Sequence, residues 1–149
     1  MKIDGKSYRS IWENDGRIWI IDQTLLPHEV QIKELADLTS VITAISDMQV
    51  RGAPLIGATA AYGLAIALKD NPSDANLEKA FKALLSTRPT AINLRWALER
   101  MHSRLIGQLV SNRASVAMSE AASIADEDVA INEAIGNHGL EVIRRTASG

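Results

Sequence analysis

The chain has 149 residues, 46% of them hydrophobic and 23% charged, with 16 basic against 18 acidic side chains. That is the length of one ordinary globular domain, which can bury roughly two-thirds of the surface its unfolded form exposes and so can fold without disulfides or metal. Composition excludes disorder and collagen-like repeats, a formal net charge of -2 leaves no basic excess for sequence-independent nucleic-acid binding, and the absence of cysteine excludes disulfides, thiolate zinc sites and any Cys nucleophile. Any anion site must be local.

Residues 1–9 alternate charged and small side chains without the apolar run of a secretory signal, so a cytoplasmic protein is expected. A strand-like pattern follows: residues 8–13 and 17–22 flank Asn14-Asp15-Gly16, a hairpin turn, and a third strand fits 29–33. Ile11, Trp12, Ile18, Trp19, Ile20, Val30 and Ile32 give this small sheet an apolar face that must pack on something. Helices supply it.

Thr39 or Ser40 can cap a first helix with Val41, Ile42, Ile45 and Met48 inward. A second opens at Pro54, where the missing N–H costs nothing, and runs to about Leu68 before Asn71-Pro72. The uncharged run 52–68 is shorter than the roughly 20 residues of a membrane span and rich in Gly and Ala, so it reads as a central buried helix that packs closely on its neighbours. Leu77, Ala80, Phe81, Leu84 and Leu85 make one stripe on a third helix, ended by Arg88-Pro89. Thr90 caps a fourth, with Leu94, Ala97, Leu98, Met101 and Leu105 inward, reaching about Val110. The Ala-rich remainder from about Ala114 is helical, with Gly136 and Gly139 expected to divide or bend it. The fold class is α+β with helix dominant: one domain, comprising a small antiparallel sheet over residues 1–35 and a helical bundle over 36–149.

Arg51 and Arg88 each stand shortly before a proline at a predicted helix start. Such ends carry unpaired N–H groups and partial positive charge, and a guanidinium beside them adds a fork that matches phosphate or carboxylate. Gly52 would let an anion approach the backbone closely. The plainer alternative makes both arginines surface residues, or partners of a carboxylate such as Asp22 or Asp47. His28, His102 and His138 lack partners at metal-ligand spacing and read as loop, packed or turn residues. Asp126-Glu127-Asp128 reads as solvated charge near a helix start, and Trp12, Trp19 and Trp96 as core or interface rather than a base-stacking platform.

Three ordered motifs, Met48-Gln49-Val50-Arg51-Gly52-Ala53-Pro54-Leu55-Ile56-Gly57, Ala60-Ala61-Tyr62-Gly63 and Arg88-Pro89-Thr90-Ala91-Ile92-Asn93-Leu94, together resemble the amino-terminal half of the methylthioribose-1-phosphate isomerase family. Asp22-Gln23-Thr24-Leu25-Leu26-Pro27 and Ile135-Gly136-Asn137-His138-Gly139 fit the same family, so the resemblance covers nearly the whole chain. The wider superfamily includes regulatory subunits of the translation-initiation guanine-nucleotide exchange factor and ribose bisphosphate isomerases. The resemblance implies an aldose-to-ketose conversion of 5-methylthioribose 1-phosphate in methionine salvage, needing no metal or other cofactor. It implies substrate contacts from Arg51, Gly52, Ala53 and Arg88, a homodimer of full-length chains, and neither nucleic acid nor membrane as partner. Family members continue into a Rossmann-like domain bearing the catalytic Cys and Asp, and this chain has no Cys. It is therefore expected to be the amino-terminal domain, inactive alone, with no catalytic residue of its own; a non-catalytic interaction module is the alternative.

Overall fold

The computed structural model describes residues 2, 3 and 5–147. Strands β1 (Lys2–Ile3) and β2 (Lys6–Ser7) pair antiparallel, ahead of a three-stranded antiparallel sheet ordered β3 (Ile11–Asn14), β4 (Arg17–Asp22) and β5 (Gln31–Leu35). Asp15 and Gly16 join β3 to β4, both at positive φ (52° and 73°), as a two-residue turn needs if its twist is to match the strands. β5 begins two residues later than expected. Val30 falls outside it and Ile32 is 41% exposed, so neither joins the core. Its inward positions are those opposite Ile18 and Ile20, which are Leu35 and Lys33.

Helix α1 (Leu38–Ser46) is capped by Asp37, not by Thr39 or Ser40. Ser40 is the third residue of a capping box: its N–H donates to the Asp37 carboxylate at 2.7 Å and its hydroxyl accepts from the Asp37 N–H at 3.1 Å. That N–H bond holds the Asp37 carboxyl below its ordinary range. The helix closes before Met48, which turns outward at φ 59°; Met48 N–H donates to Ile45 O and Gln49 N–H to Ala44 O, the paired bonds of a Schellman end.

α2 (Ala53–Asp70) is the axis of the bundle, buried without a break from Ile56 to Ile66 and packed against α1, α3 (Asp74–Thr87), α4 (Ile92–Leu105) and α5 (Val110–Ala147). Its small residues are what permit this. A Cβ at Gly63 would lie 2.8 Å from Val41 of α1 and 3.1 Å from Leu84 of α3.

α4 stops at Leu105, short of the expected Val110, and α5 starts there instead. Gly136 and Gly139 neither divide nor interrupt α5, which is one helix of 38 residues; two propensity penalties of about 1 kcal/mol are too small to end a helix otherwise rich in strong formers. His138 is consequently helical, and Asp126-Glu127-Asp128 lies in mid-helix rather than near its start. α5 runs antiparallel to α2: Arg113 near its beginning reaches Pro72 O and Asp74 beyond the end of α2, and Ile131 lines the same hollow as Pro54 at the start of α2. Arg113 is the one buried arginine among the described residues, and it ties the start of α5 to the α2–α3 loop. From Ala130 onward every described residue of α5 is exposed. About 25 Å of helix therefore projects past the end of the bundle where α2 begins.

Candidate functional site

Two helix starts without side-chain caps open on that same end. At α2 the capping position is Gly52, at φ 94° and ψ 132°, with no side-chain hydrogen bond. A Cβ there would meet nothing within 4 Å, so backbone conformation, not space, requires glycine. Pro54 has no N–H, which leaves Ala53 and Leu55 as the first-turn donors that no carbonyl within the helix can reach. At α4 the capping residue is Ala91 rather than the expected Thr90, again with no side-chain bond. The turn before it is tight, Ala91 N–H donating to Arg88 O at 3.0 Å, and that moves the helix start one residue beyond the threonine.

Between these ends lies a cleft of about 480 Å³, walled by Gly52, Ala53 and Ile56 on one side and by Arg88, Thr90, Ala91, Ile92 and Asn93 on the other. Arg88 ends α3 outside the helical region (φ -146°, ψ 82°), the region that a following proline disfavours. Among the described residues its guanidinium has no hydrogen-bond or ion-pair partner, although the residue is partly buried. Unpaired cation and unpaired N–H groups thus share one concavity, a combination suited to an oxyanion.

The segment leading into Gly52 is held from below by the sheet. Gln23 N–H donates to Gln49 O at 2.8 Å, Lys33 Nζ donates to Gln49 Oε1 at 3.0 Å, and Val50 is fully buried. Asp22, the expected alternative partner for an arginine, instead accepts from the Thr24 N–H and hydroxyl at 3.0 and 2.6 Å. Arg51 does not line the cleft. It is exposed beside it, its Nε donating to Met48 O at 3.3 Å, and it forms no ion pair with Asp22 or Asp47. The structure thus brings Gly52, Ala53 and Arg88 together and leaves Arg51 outside the walls.

The other singled-out groups find ordinary partners. His102 Nε2 lies 2.5 Å from Glu78 Oε1 and edge-on to Phe81, so it links α3 to α4; His28 and His138 are exposed. Asp126 pairs with Arg9, and Arg100 donates to Glu127 at 2.5 and 2.7 Å and to Glu120 at 2.7 Å. These bonds to Glu127 raise the pKa of Arg100, and the same guanidinium holds the Glu127 carboxyl below its ordinary value. No group of three His, Cys, Asp or Glu among the described residues could hold a metal, and no described helix is long and apolar enough to cross a membrane. Thr90 and Asn93 also line the cleft; both stand in the Arg88–Leu94 motif, where Thr90 reads only as a cap and Asn93 carries no role, and their place after Arg88-Pro89 at a helix start was the available signal.

Beside the cleft a second hollow, about 370 Å³, is lined by Pro54, Asn93, Trp96, Ile124, Glu127, Asp128 and Ile131. A third, about 530 Å³, lies across α5 between Tyr8, Arg9, Ser10 and Ile11 and the helix face from Ala125 to Glu133.

Residues 49–148 match the model of the initiation factor 2 subunit family. The chain is 56% identical over its whole length to the methylthioribose-1-phosphate isomerase of Acidiphilium cryptum and 57% identical over 97% of its length to that of Gluconobacter oxydans, covering 41% and 40% of those proteins. It matches their amino-terminal part. The chain thus spans about two-fifths of the length of these curated relatives. Among solved structures it resembles 5-methylthioribose 1-phosphate isomerase from Pyrococcus horikoshii, with a TM-score of 0.85 and 36% identity over 92% of this chain and 41% of that one. It also resembles the delta subunit of translation initiation factor eIF-2B from A. fulgidus, with a TM-score of 0.76 and 38% identity over 83% of this chain and 38% of that one. A family match across two-thirds of the sequence, on a fold shared with both solved relatives, makes this chain a member of the initiation factor 2 subunit family.

Proposed function

We propose that the chain is the amino-terminal, substrate-binding domain of a methylthioribose-1-phosphate isomerase, with Arg88, the Ala53 N–H and Gly52 receiving the phosphate and Arg51 closing over it from the rim. The observation that carries this reading is the cleft, where an unpaired guanidinium meets two uncapped helix starts. Identities of 56% and 57% to isomerases support it over a regulatory role, which the likeness to the initiation-factor subunit at 38% would otherwise favour. Within this reading residues 1–149 act as one domain, the sheet of 1–35 holding the Gln49–Gly52 segment and the bundle of 36–149 forming the cleft.

The reaction opens the ribose ring and moves a hydrogen from C2 to C1 while the C2 hydroxyl becomes a ketone, so it needs a positioned acid and base. None lines the cleft, whose polar side chains are Arg88, Thr90 and Asn93. The proton-moving groups therefore belong to the rest of the full-length protein, which would lie against the projecting half of α5 and close the cleft from water. The reading includes a cytoplasmic homodimer, a small-molecule substrate without metal or nucleotide, and no nucleic-acid or membrane partner.

Assay of the full-length protein for conversion of 5-methylthioribose 1-phosphate to 5-methylthioribulose 1-phosphate tests it. Turnover is expected from that protein and none from residues 1–149 alone. A full-length protein without turnover would overturn the function, and turnover by the 149-residue chain would overturn the division of labour.

A further inference from the structure

We propose that the hollow beside the cleft receives the methylthio end of the substrate, so that this domain selects a sugar phosphate with one anionic and one apolar end. The inference rests on the isomerase reading above and adds the residues that set its specificity. Asn93 lines both chambers, and Pro54 of the hollow follows Ala53 of the cleft directly, so the two lie side by side at the first turns of α2 and α4. A ligand whose phosphate occupies the cleft would extend past Asn93 into a hollow walled by Pro54, Trp96, Ile124 and Ile131.

The chemistry of the two chambers is opposite. The cleft offers an unpaired cation and helix N–H donors. The charged groups that line the hollow are both acidic, Glu127 and Asp128. Glu127 is committed to Arg100, but Asp128 accepts only from the neutral Asn132 amide at 3.0 Å and has no cationic partner among the described residues. A second phosphate placed there would face a carboxylate, whereas a thioether is uncharged, polarizable and favourably placed against an aromatic ring. Trp96 is steadied for that contact by the Arg100 guanidinium 5.6 Å from its ring centre. Trp96 and Ile131 are 49% and 59% exposed, leaving apolar surface that a thioether would cover. The competing occupant is a side chain from the remainder of the full-length protein.

Steady-state kinetics of the full-length protein on 5-methylthioribose 1-phosphate, ribose 1-phosphate and ribose 1,5-bisphosphate decide the matter. Trp96→Ala and Ile131→Ser are each expected to lower kcat/KM for the thioether about ten-fold more than for ribose 1-phosphate, through KM, as loss of a small apolar subsite requires. Asp128→Asn is expected to raise use of the bisphosphate relative to the thioether several-fold. Unchanged substrate ratios in all three variants, with unfolding midpoints confirming that they fold, would mean that protein fills the hollow and would overturn the proposal alone. Absence of turnover of any of the three substrates by the unsubstituted protein would overturn the isomerase reading and this inference with it.

Discussion

Gly57 of α2 lies so close to Asn93 of α4 that a Cβ on the glycine would come within 2.9 Å of the Asn93 carbonyl oxygen. The contact sets the separation of the two helix starts that wall the cleft. Because the neighbour is backbone in the first turn of a helix, it cannot rotate away, and Gly57→Ala must push α4 from α2. We expect a loss of about 1–3 kcal/mol, the ordinary cost of overpacking, measurable by denaturant unfolding. A variant as stable as the parent would show that the first turn of α4 yields freely.

Glycines at the far end of the molecule should behave in the opposite way. Gly136 and Gly139 are helical and exposed, and a Cβ at either meets nothing within 4 Å. Alanine there removes a propensity penalty without adding a clash, so each substitution should strengthen the projecting part of α5 by about 0.5–1 kcal/mol. Far-UV circular dichroism of the 149-residue chain should show greater helicity and a later onset of fraying. Reduced helicity would mean that the glycines serve a bend that the helix makes on its own.

Met48 occupies, at φ 59°, the left-handed position that usually belongs to glycine at a helix end. It is also 44% exposed, so the side chain gains little from packing in return for that conformation. Met48→Gly should therefore stabilise the chain by about 1 kcal/mol in thermal unfolding. Destabilisation would assign the side chain a contact worth more than the backbone strain.

Acid should weaken the junction of α4 and α5. Arg100 holds the Glu127 carboxyl below its ordinary value of 4.5, so the pair's contribution is fully present above that pH and disappears as pH falls through the lowered value. Glu127 is half exposed, and solvent screening keeps the effect small. The expected signature is a flatter acid limb in the stability profile of Glu127→Gln below about pH 4.5, with little change near neutrality. Parallel profiles for parent and variant would show that the ion pair contributes nothing to folding.

Features fixed by backbone chemistry were legible in the sequence. Asp15-Gly16 announces its turn, Pro54 a helix start, and Arg88-Pro89 a helix end, because few conformations suit those residues. Choices among near equals were not. Asp37, Thr39 and Ser40 can all cap a helix, and only the backbone path decides that Asp37 does. Arg113 gave no sign of burial, since its partners at Pro72 and Asp74 are distant in sequence. The hollow was equally hidden: Pro54, Trp96 and Ile131 belong to three helices, and each alone reads as ordinary apolar surface. Arg51 and Arg88 looked equivalent in their motifs, yet the turn after α3 carries Arg88 into the cleft while the bond to Met48 O holds Arg51 outside its walls.

That asymmetry makes the two arginines separable by experiment. Arg88 has no hydrogen-bond or ion-pair partner to lose among the described residues, so Arg88→Ala should leave the stability of the fold unchanged while removing a charge-assisted contact from the cleft. In the full-length protein we expect a loss of about 1.5–3 kcal/mol in substrate binding, the range for hydrogen bonds to charged groups. Arg88→Lys should recover only part of this, because an ammonium cannot form the planar two-bond contact. Arg51→Ala should cost less, since the Arg51 guanidinium must give up its bond to Met48 O, or use only its remaining nitrogens, to reach a ligand in the cleft. Equal losses at both positions would mean that Arg51 turns inward when substrate arrives. Unchanged binding in Arg88→Ala, measured by calorimetry with substrate and with inorganic phosphate, would remove the cleft from the anion site altogether.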